Sequence, residues 1–515
     1  MKGWIGGQRY WVLVINISKE HQEHLKITNH NILIKGIFIL ISVVIFSYAS
    51  FRSVVIGITH DEVFTYLMYV PLTIWETISY DPIYNANNHI LNTLLMKVST
   101  GLFGNAEWAL RLPNTLGHLL YVIFSFRLVR EFFPNVFMSL LAFVLLNANP
   151  YMLDFFSVAR GYGLGMGIMM VSLYYFLKHL KSLQQKHLVI CLLLAMLSVW
   201  SNFINLLYFA ALVGVYGLIE LEKYFTESSY SFSSLVRSQS ASLAASCFLT
   251  LMIFVPLRQL KRLDEFRFGG ESSFYKDTFE RLTKNCLYNE KYLDGLTVPV
   301  FTKLILAFII VNMVVLIWQR IREKSKWANH YGLVAGLFLL LIAMASIIQH
   351  HLMDVAYLQD RRAILFLPFA ALLVSYGLER LWSVSAVTKV IAVALLVFSA
   401  NHLIRSTDSY KATWEWYYDE NTKEILELLQ KDKSYTKEHP LELSVSWTMK
   451  NSFDFYQKTR ALDWLAPMSY KTKDFATSGA DYYYLFASEQ AKVRDTTEKV
   501  FAENGRVLLK STTPP

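Results

Sequence analysis

The chain has 515 residues, of which 54% are hydrophobic, 15% aromatic and only 17% charged, with a formal net charge of +9 and a mean hydropathy of +0.32. That balance excludes an ordinary soluble domain and fits a multi-pass membrane protein. Of three cysteines, Cys191 and Cys247 sit in apolar runs and only Cys286 in an outer loop, so neither a disulfide framework nor redox chemistry is expected.

A hydrocarbon core of about 30 Å takes about 20 mostly apolar residues per helix, and about eleven such runs recur between Ile32 and Leu403. They start near Ile32, Pro113, Val136, Gly161, His187, Asn205, Ser240, Pro299, His330, Ala363 and Val387. Arg127 and Arg130, then Lys178, Lys181 and Lys186, then Arg320, Arg322, Lys324 and Lys326, then Arg380 and Lys389 fall in alternate loops, which the positive-inside rule makes cytoplasmic. The N-terminal stretch with Lys2, Arg9, Lys19 and Lys26 joins them. It is too polar for a cleaved signal peptide, so the first span is expected to stay as a signal anchor, and an odd number of spans leaves the C-terminus outside.

The first outer loop runs from about Gly57 to Trp108. It opens on His60-Asp61-Glu62, continues through Tyr80-Asp81-Pro82 and Asn85 to His89, and closes on Ile90 to Phe103, where Ile90, Leu91, Leu94, Leu95, Val98 and Leu102 recur at helical spacing. That last piece is short of a span and is expected to lie in the interface plane, framing a cavity under the loop. Asp61 at a helix start would be held by backbone N–H groups. Paired carboxylates at a lipid–water boundary suggest chemistry on a lipid-borne substrate.

Further on, Gly161, Gly163, Gly165 and Gly167 interrupt one span, a spacing that points to close helix packing. The stretch from Arg258 to Lys291 is basic yet falls outside in this topology. With Asp264, Glu265, Asp277 and Glu280 mixed in it is read first as a solvated surface, and second as an attractor of anionic headgroups or a polyprenyl phosphate. Arg361-Arg362 in the fifth outer loop fit a snorkelling helix-end pair or a phosphate contact. After Ile404 charges appear every few residues, and Leu441 to Trp447 and Asp481 to Ala487 alternate with period two. Residues 405–515 therefore read as a small water-soluble α/β domain beside a membrane domain of residues 1–404. It is expected to hold a helix from Thr422, a strand at Leu441, a helix around Ser452 to Lys458, and strands near Tyr482 and Val507. No catalytic motif stands out in it, and a lid or docking role is expected.

The order of an apolar span, HDEVFTY (His60 to Tyr66), NNHILNTLL (Asn87 to Leu95) and FGNAEWALRLPNTLGHLL (Phe103 to Leu120) resembles the membrane glycosyltransferases of the GT-C class. More narrowly it is similar to bacterial relatives of protein O-mannosyltransferases and of the aminoarabinose transferase that modifies lipid A. NPYMLDFFSVARGYGLGMG (Asn149 to Gly167) is similar to the second outer loop of that group, and the resemblance returns faintly at Tyr357 to Leu373. The resemblance implies a mainly α polytopic fold in a bacterial cytoplasmic membrane and transfer of a sugar from a polyprenyl-phosphate donor to an outward-facing lipid, glycan or protein acceptor. Membrane lipids are the other expected partners, and nucleic acid is not one.

The resemblance also implies Asp61 as catalytic base, taking the acceptor's hydroxyl proton, with displacement opposite the phosphate inverting the anomeric centre. Glu62 would orient the acceptor or hold a metal. Arg160, Arg361 and Arg362 would meet the departing phosphate, where negative charge builds up, and Tyr162 and His89 would help bind substrate. Where relatives carry Gln-Glu-Ala-Arg, this chain has Ser157-Val158-Ala159-Arg160, so Asp154 either replaces the acid or stands as a helix-end charge.

No strong metal spacing such as HExxH occurs, although His60, Glu62 and His89 leave a divalent metal open. His350-His351 would point about 100° apart on a helix. Of the tryptophans, Trp75, Trp108 and Trp200 read as interface-belt residues, and Trp414 and Trp416 as candidates to stack on a sugar. A transporter or flippase of lipid-linked sugars is the alternative, for which repeats and mid-membrane charges would be expected. A receptor displaying the C-terminal domain is a third reading, and it requires no acid pair.

Overall fold

The structure, a computed structural model, describes residues 33–82, 85–288, 297–406, 410–432, 434–468 and 474–512. Ile32, the N-terminal basic residues Lys2, Arg9, Lys19 and Lys26, and Lys291 lie outside these. Helix α1 (Leu33–Val55) leads into the short α2 (His60–Phe64) and α3 (Ile74–Ser79), then α4 (Ile90–Phe103) and the long α5 (Glu107–Phe132). Helices α6 (Val136–Asn147) and α7 (Pro150–Ser157) meet at a 56° bend. There Asn149 caps α7 through the Met152 N–H, and Pro150, which has no N–H to continue a helix, takes its first position.

Helices α8 (Tyr162–Ser182), α9 (Gln185–Ser201), α10 (Leu206–Thr226), α11 (Phe232–Arg262), α12 (Arg281–Leu287), α13 (Thr297–Glu323), α14 (Tyr331–Met353), α15 (Phe366–Leu381) and α16 (Ala386–Ser406) follow. Each apolar run counted in the sequence falls on a helix. By length and composition six of these helices are apolar enough to cross a membrane, or seven if α6 and α7 form one bent span, fewer than the count from the sequence. The difference lies in α9 and α15, which are short, and in α5 and α8, whose apolar stretches are broken by polar residues such as Arg111, Asn114, His118 and His179. Helix α11 begins well before Ser240, because the Ser231 hydroxyl caps it by accepting the Ser234 N–H.

The glycines of α8 do pack closely. A Cβ on Gly167 would sit 2.1 Å from the Gly117 carbonyl oxygen of α5, so the two backbones touch at this crossing and no side chain fits between them. Helices α1, α11, α13 and α16 instead turn apolar side chains such as Val43, Leu251, Val314 and Val397 outward, as a lipid-facing surface would.

The C-terminal part is a small sheet domain of four strands in the order β1-β2-β4-β3, with β1 (Leu443–Val445) parallel to β2 (Tyr482–Phe486) and β4 (Arg506–Ser511) antiparallel to β2 and β3 (Thr497–Glu503). Helices α17 (Thr422–Gln430) and α18 (Trp447–Thr459) flank it. These match the expected elements except β3, whose mostly exposed residues gave no period-two signal. Helix α18 packs against α2, and the Tyr456 hydroxyl accepts the Ile58 N–H at 2.9 Å and donates to Glu107 at 2.9 Å.

Candidate active site

Helix α2 begins in a capping box: Thr59 Oγ1 accepts the Glu62 N–H, and the Glu62 carboxylate accepts the Thr59 N–H at 2.9 Å. The same carboxylate takes Arg111 Nε at 2.8 Å, Arg111 Nη2 at 2.7 Å and the Ala159 N–H at 2.6 Å. Arg111 in turn donates to the carbonyls of Ser53, Ile56 and Gly57. Both side chains are fully buried. Burial alone would raise the Glu62 carboxyl, but Arg111 and the backbone donors hold it below its ordinary range. Glu62 therefore fastens α1, α2, α5 and the α7–α8 turn together. Its lone pairs are occupied, which corrects the expectation that it faces an acceptor or a metal. The Thr59-x-x-Glu62 spacing was the sequence signal for this role.

Asp61 points the other way and remains partly open, with 13% of its side chain exposed. Its Oδ2 lies 3.4 Å from Arg160 Nη2 and 3.3 Å from Arg361 Nη2, and its Oδ1 accepts from Asn87 Nδ2 at 3.4 Å. Burial pushes this carboxyl up, yet the two guanidinium groups, with smaller help from His60 and Trp416, outweigh it and hold it at about 2. Three segments far apart in sequence, around Asn87, Arg160 and Arg361, thus meet on one carboxylate.

Each arginine is positioned by its own backbone. Arg160 precedes Gly161, which has φ +69; a Cβ there would collide with the Ser201 carbonyl at 2.4 Å and the His89 side chain at 2.8 Å. Arg160 also donates to Asn87 Oδ1 at 2.7 Å. Arg361 lies on a 3-10 turn, Asp360–Ala363. The basic stretch after α11 supports that turn through paired Gly270–Tyr357 backbone bonds and the Thr278 hydroxyl donating to Leu358 O at 2.8 Å. Arg361 Nη1 reaches Glu415 at 3.4 Å, and its guanidinium stacks over Trp416, 5.3 Å from the ring centre. Around Glu415 run Tyr151, which donates to it, then Asn285, Asp360 and Trp414.

His89 and Tyr162 lie beside this centre, edge to face at 5.5 Å. Burial first, then the two guanidinium groups, push the His89 imidazole well below its usual range, so it is neutral, and its Nε2 has no hydrogen-bond partner among the described residues.

Other expected site residues stand elsewhere. Asp154 is fully buried against Arg52 at 2.6 Å and accepts the Tyr288 hydroxyl at 3.0 Å and the Trp414 N–H at 2.8 Å, so it braces α1 and the segment after α16 instead of joining Asp61. Arg362 donates to the Phe268 carbonyl. The His60 Nδ1–H donates to Thr448 O at 2.7 Å, and Nε2 faces the Asn451 amide at 3.2 Å. His350 stacks on Tyr357. The set His60, Glu62 and His89 is thus split among different partners, and among the described residues no three His, Cys, Asp or Glu side chains form a group that could hold a metal.

Behind the Arg361 turn lies an apolar cavity of about 320 Å³, lined by Phe279, Leu282, Cys286, Phe301, Ile305 and Phe366 among others. Helix α12 forms the partition: Leu282 and Cys286 line the cavity, and Asn285 faces the polar network.

No family model and no curated protein matches this chain. Solved structures do. ArnT from Cupriavidus metallidurans in the apo state superposes with a TM-score of 0.51 at 14% identity, covering 92% of this chain and 97% of that one. The same protein bound to undecaprenyl phosphate gives a TM-score of 0.51 at 12% identity with the same coverage. The likeness supports a GT-C glycosyltransferase-like fold over nearly the whole chain.

Proposed function

We propose that this protein transfers a sugar from a polyprenyl-phosphate carrier to an acceptor hydroxyl on the outer side of a bacterial cytoplasmic membrane, with inversion at the anomeric carbon. The observation that carries the reading is the contact of one Asp61 oxygen with both Arg160 and Arg361, at 3.4 and 3.3 Å. Asp61 is ionised at neutral pH and takes the proton of the attacking hydroxyl. The acceptor oxygen bonds to the anomeric carbon as the bond to the phosphate oxygen breaks on the opposite face. Arg160 and Arg361 meet the charge that gathers on the leaving phosphate; guanidinium groups match it by paired hydrogen bonds.

His89 and Tyr162 wall the sugar subsite, and Trp416 backs it by holding the Arg361 guanidinium over its ring. Part of the carrier's chain lies in the apolar cavity beside α12, and a solved structure of similar fold bound to undecaprenyl phosphate supports a carrier of that chemistry. In this reading residues 1–404 cross the membrane eleven times and residues 405–515 stand outside, and the acceptor is a lipid, glycan or protein.

The test is transfer from radiolabelled polyprenyl-phosphate sugars in membranes containing wild type or Asp61→Asn. Transfer by wild type and its loss in the variant support the reading; undiminished transfer by the variant refutes Asp61 as the base. In vesicles without an acceptor, movement of the lipid-linked sugar across the bilayer without its consumption would establish a transporter instead.

A further inference from the structure

The two acids of α2 are held in very different ways. Glu62 meets Arg111 at 2.7 and 2.8 Å, within the range of tight charge-assisted hydrogen bonds. Asp61 meets Arg160, Arg361 and Asn87 only at 3.3 to 3.4 Å, and Arg361 meets its other carboxylate, Glu415, at 3.4 Å. Arg361 is thus shared by two carboxylates and tight on neither. Arg160 has a buried Nε with no partner among the described residues. Both guanidinium groups are engaged but not saturated, and the donor's phosphodiester, with two non-bridging oxygens to offer, competes well for them.

On the carrier-dependent reading above, we propose that the donor's phosphate activates the base: it draws Arg361 and Arg160 off Asp61, so that the carboxylate becomes a stronger proton acceptor only when the sugar donor is in place. While both guanidinium groups hold Asp61 they quench it, and a carboxylate so strongly stabilised is a weak base. When the phosphate takes over their N–H groups, Asp61 loses its compensating charge and gains a negative neighbour. Both changes strengthen its hold on a proton. During transfer the acceptor's proton passes to Asp61, the acceptor oxygen bonds to the anomeric carbon, and the electron pair of the broken bond leaves on the phosphate. The arrangement ties proton abstraction to the presence of the donor.

The groups facing Asp61 are Arg160 and Arg361 from the second and fifth outer loops, His60 on its own helix, His89 at the start of α4, and Tyr418 and Asp419 from the segment after α16. Of these, the two arginines are the ones a phosphate would engage.

The test is calorimetric binding of undecaprenyl phosphate to the detergent-solubilised full chain between pH 4 and 6, in buffers of different ionisation heat, with wild type, Asp61→Asn and Arg361→Gln. The monoester phosphate of this lipid also titrates near this range, so Asp61 is isolated by the comparison of wild type with Asp61→Asn, which share both arginines. Wild type is expected to take up more protons on binding than Asp61→Asn, with a steeper gain in affinity as pH falls, bounded at about tenfold per pH unit for one proton. Arg361→Gln, whose Asp61 is already partly released, is expected to lose most of that difference. Binding with identical proton exchange in wild type and Asp61→Asn would overturn the activation while leaving the carrier reading standing. Absence of binding by wild type would overturn both. Thermal unfolding of each variant shows that it is folded, and Arg361→Gln supplies the comparison should Asp61→Asn not be.

Discussion

The Asp419 carboxylate accepts the backbone N–H of His60 at 2.8 Å, across 359 residues of sequence, while its other oxygen accepts the Ser452 hydroxyl at 2.6 Å. The residue after α16 that anchors α18 therefore also holds the first turn of the helix carrying Asp61. Burial pushes the Asp419 carboxyl well above its usual range. Asp419→Ala is expected to leave the chain folded but to lower kcat by on the order of 10²-fold, the cost of misplacing a reacting group by about 1 Å, with little change in KM. Steady-state kinetics of transfer checks the split, and Asp419→Asn, which keeps an acceptor for the His60 N–H, should recover part of the loss.

Removal of one partner of the fully buried Glu62–Arg111 pair leaves an uncompensated charge. Glu62→Gln or Arg111→Met should each destabilise the protein by about 3–5 kcal/mol, read as a lower unfolding temperature in detergent. The double substitution should be less costly than the sum, because it leaves no unpaired charge.

Asp61→Asn should lower transfer by about 10²–10⁴-fold, the usual contribution of a general base, without loss of fold. The Asp61 carboxyl is depressed from its ordinary value to about 2. Its contribution to stability is therefore complete above pH ~4, where the carboxyl is ionised even unfolded, and disappears as pH falls through about 2. By the same sign, kcat/KM, which reports the free enzyme, should show no acid limb from Asp61 between neutrality and pH ~4. A pH–rate profile of the folded protein checks this.

Arg160→Lys should not restore function. Arg160 Nη2 meets both Asn87 Oδ1 and Asp61 while Nη1 turns to the Thr65 hydroxyl, and a lysine ammonium offers a point charge in place of this planar set of directed donors. Affinity for undecaprenyl phosphate is expected to fall by about tenfold or more, the worth of one charge-assisted hydrogen bond, measurable by direct binding.

Gly161→Ala tests the scaffold under Arg160. At φ +69, and with the Ser201 carbonyl only 2.4 Å from where the alanine Cβ would stand, the substitution should cost about 1–3 kcal/mol through backbone strain alone, and should impair carrier binding by displacing Arg160. The unfolding temperature and the binding constant together report it.

Local patterns made much of the helical part legible. Ile90 to Phe103 repeats its apolar residues at helical spacing and is α4 over that same range. The different duties of Asp61 and Glu62 are not legible in sequence, because adjacent carboxylates differ only in which arginine each meets, and Arg111 stands 49 residues from Glu62. Asp154 resembled a substitute acid because its partner Arg52 lies far back in the chain, on α1, and only folding joins them. Asn87, Glu415 and Asp419 carry no motif of their own. Their partners are Arg160, Arg361 and His60, brought to them by tertiary packing.

Arg111 ties three carbonyls at the end of α1 to the carboxylate of α2, which makes the two sides of the cleft mechanically unequal. The Asp61 side is riveted to the first helix, whereas the Arg361 side chain rests on contacts of 3.3 and 3.4 Å and its turn backs onto the greasy hollow beside α12. A carrier entering laterally from the bilayer would meet the yielding wall, and the riveted one would serve as the anvil against which its headgroup is set.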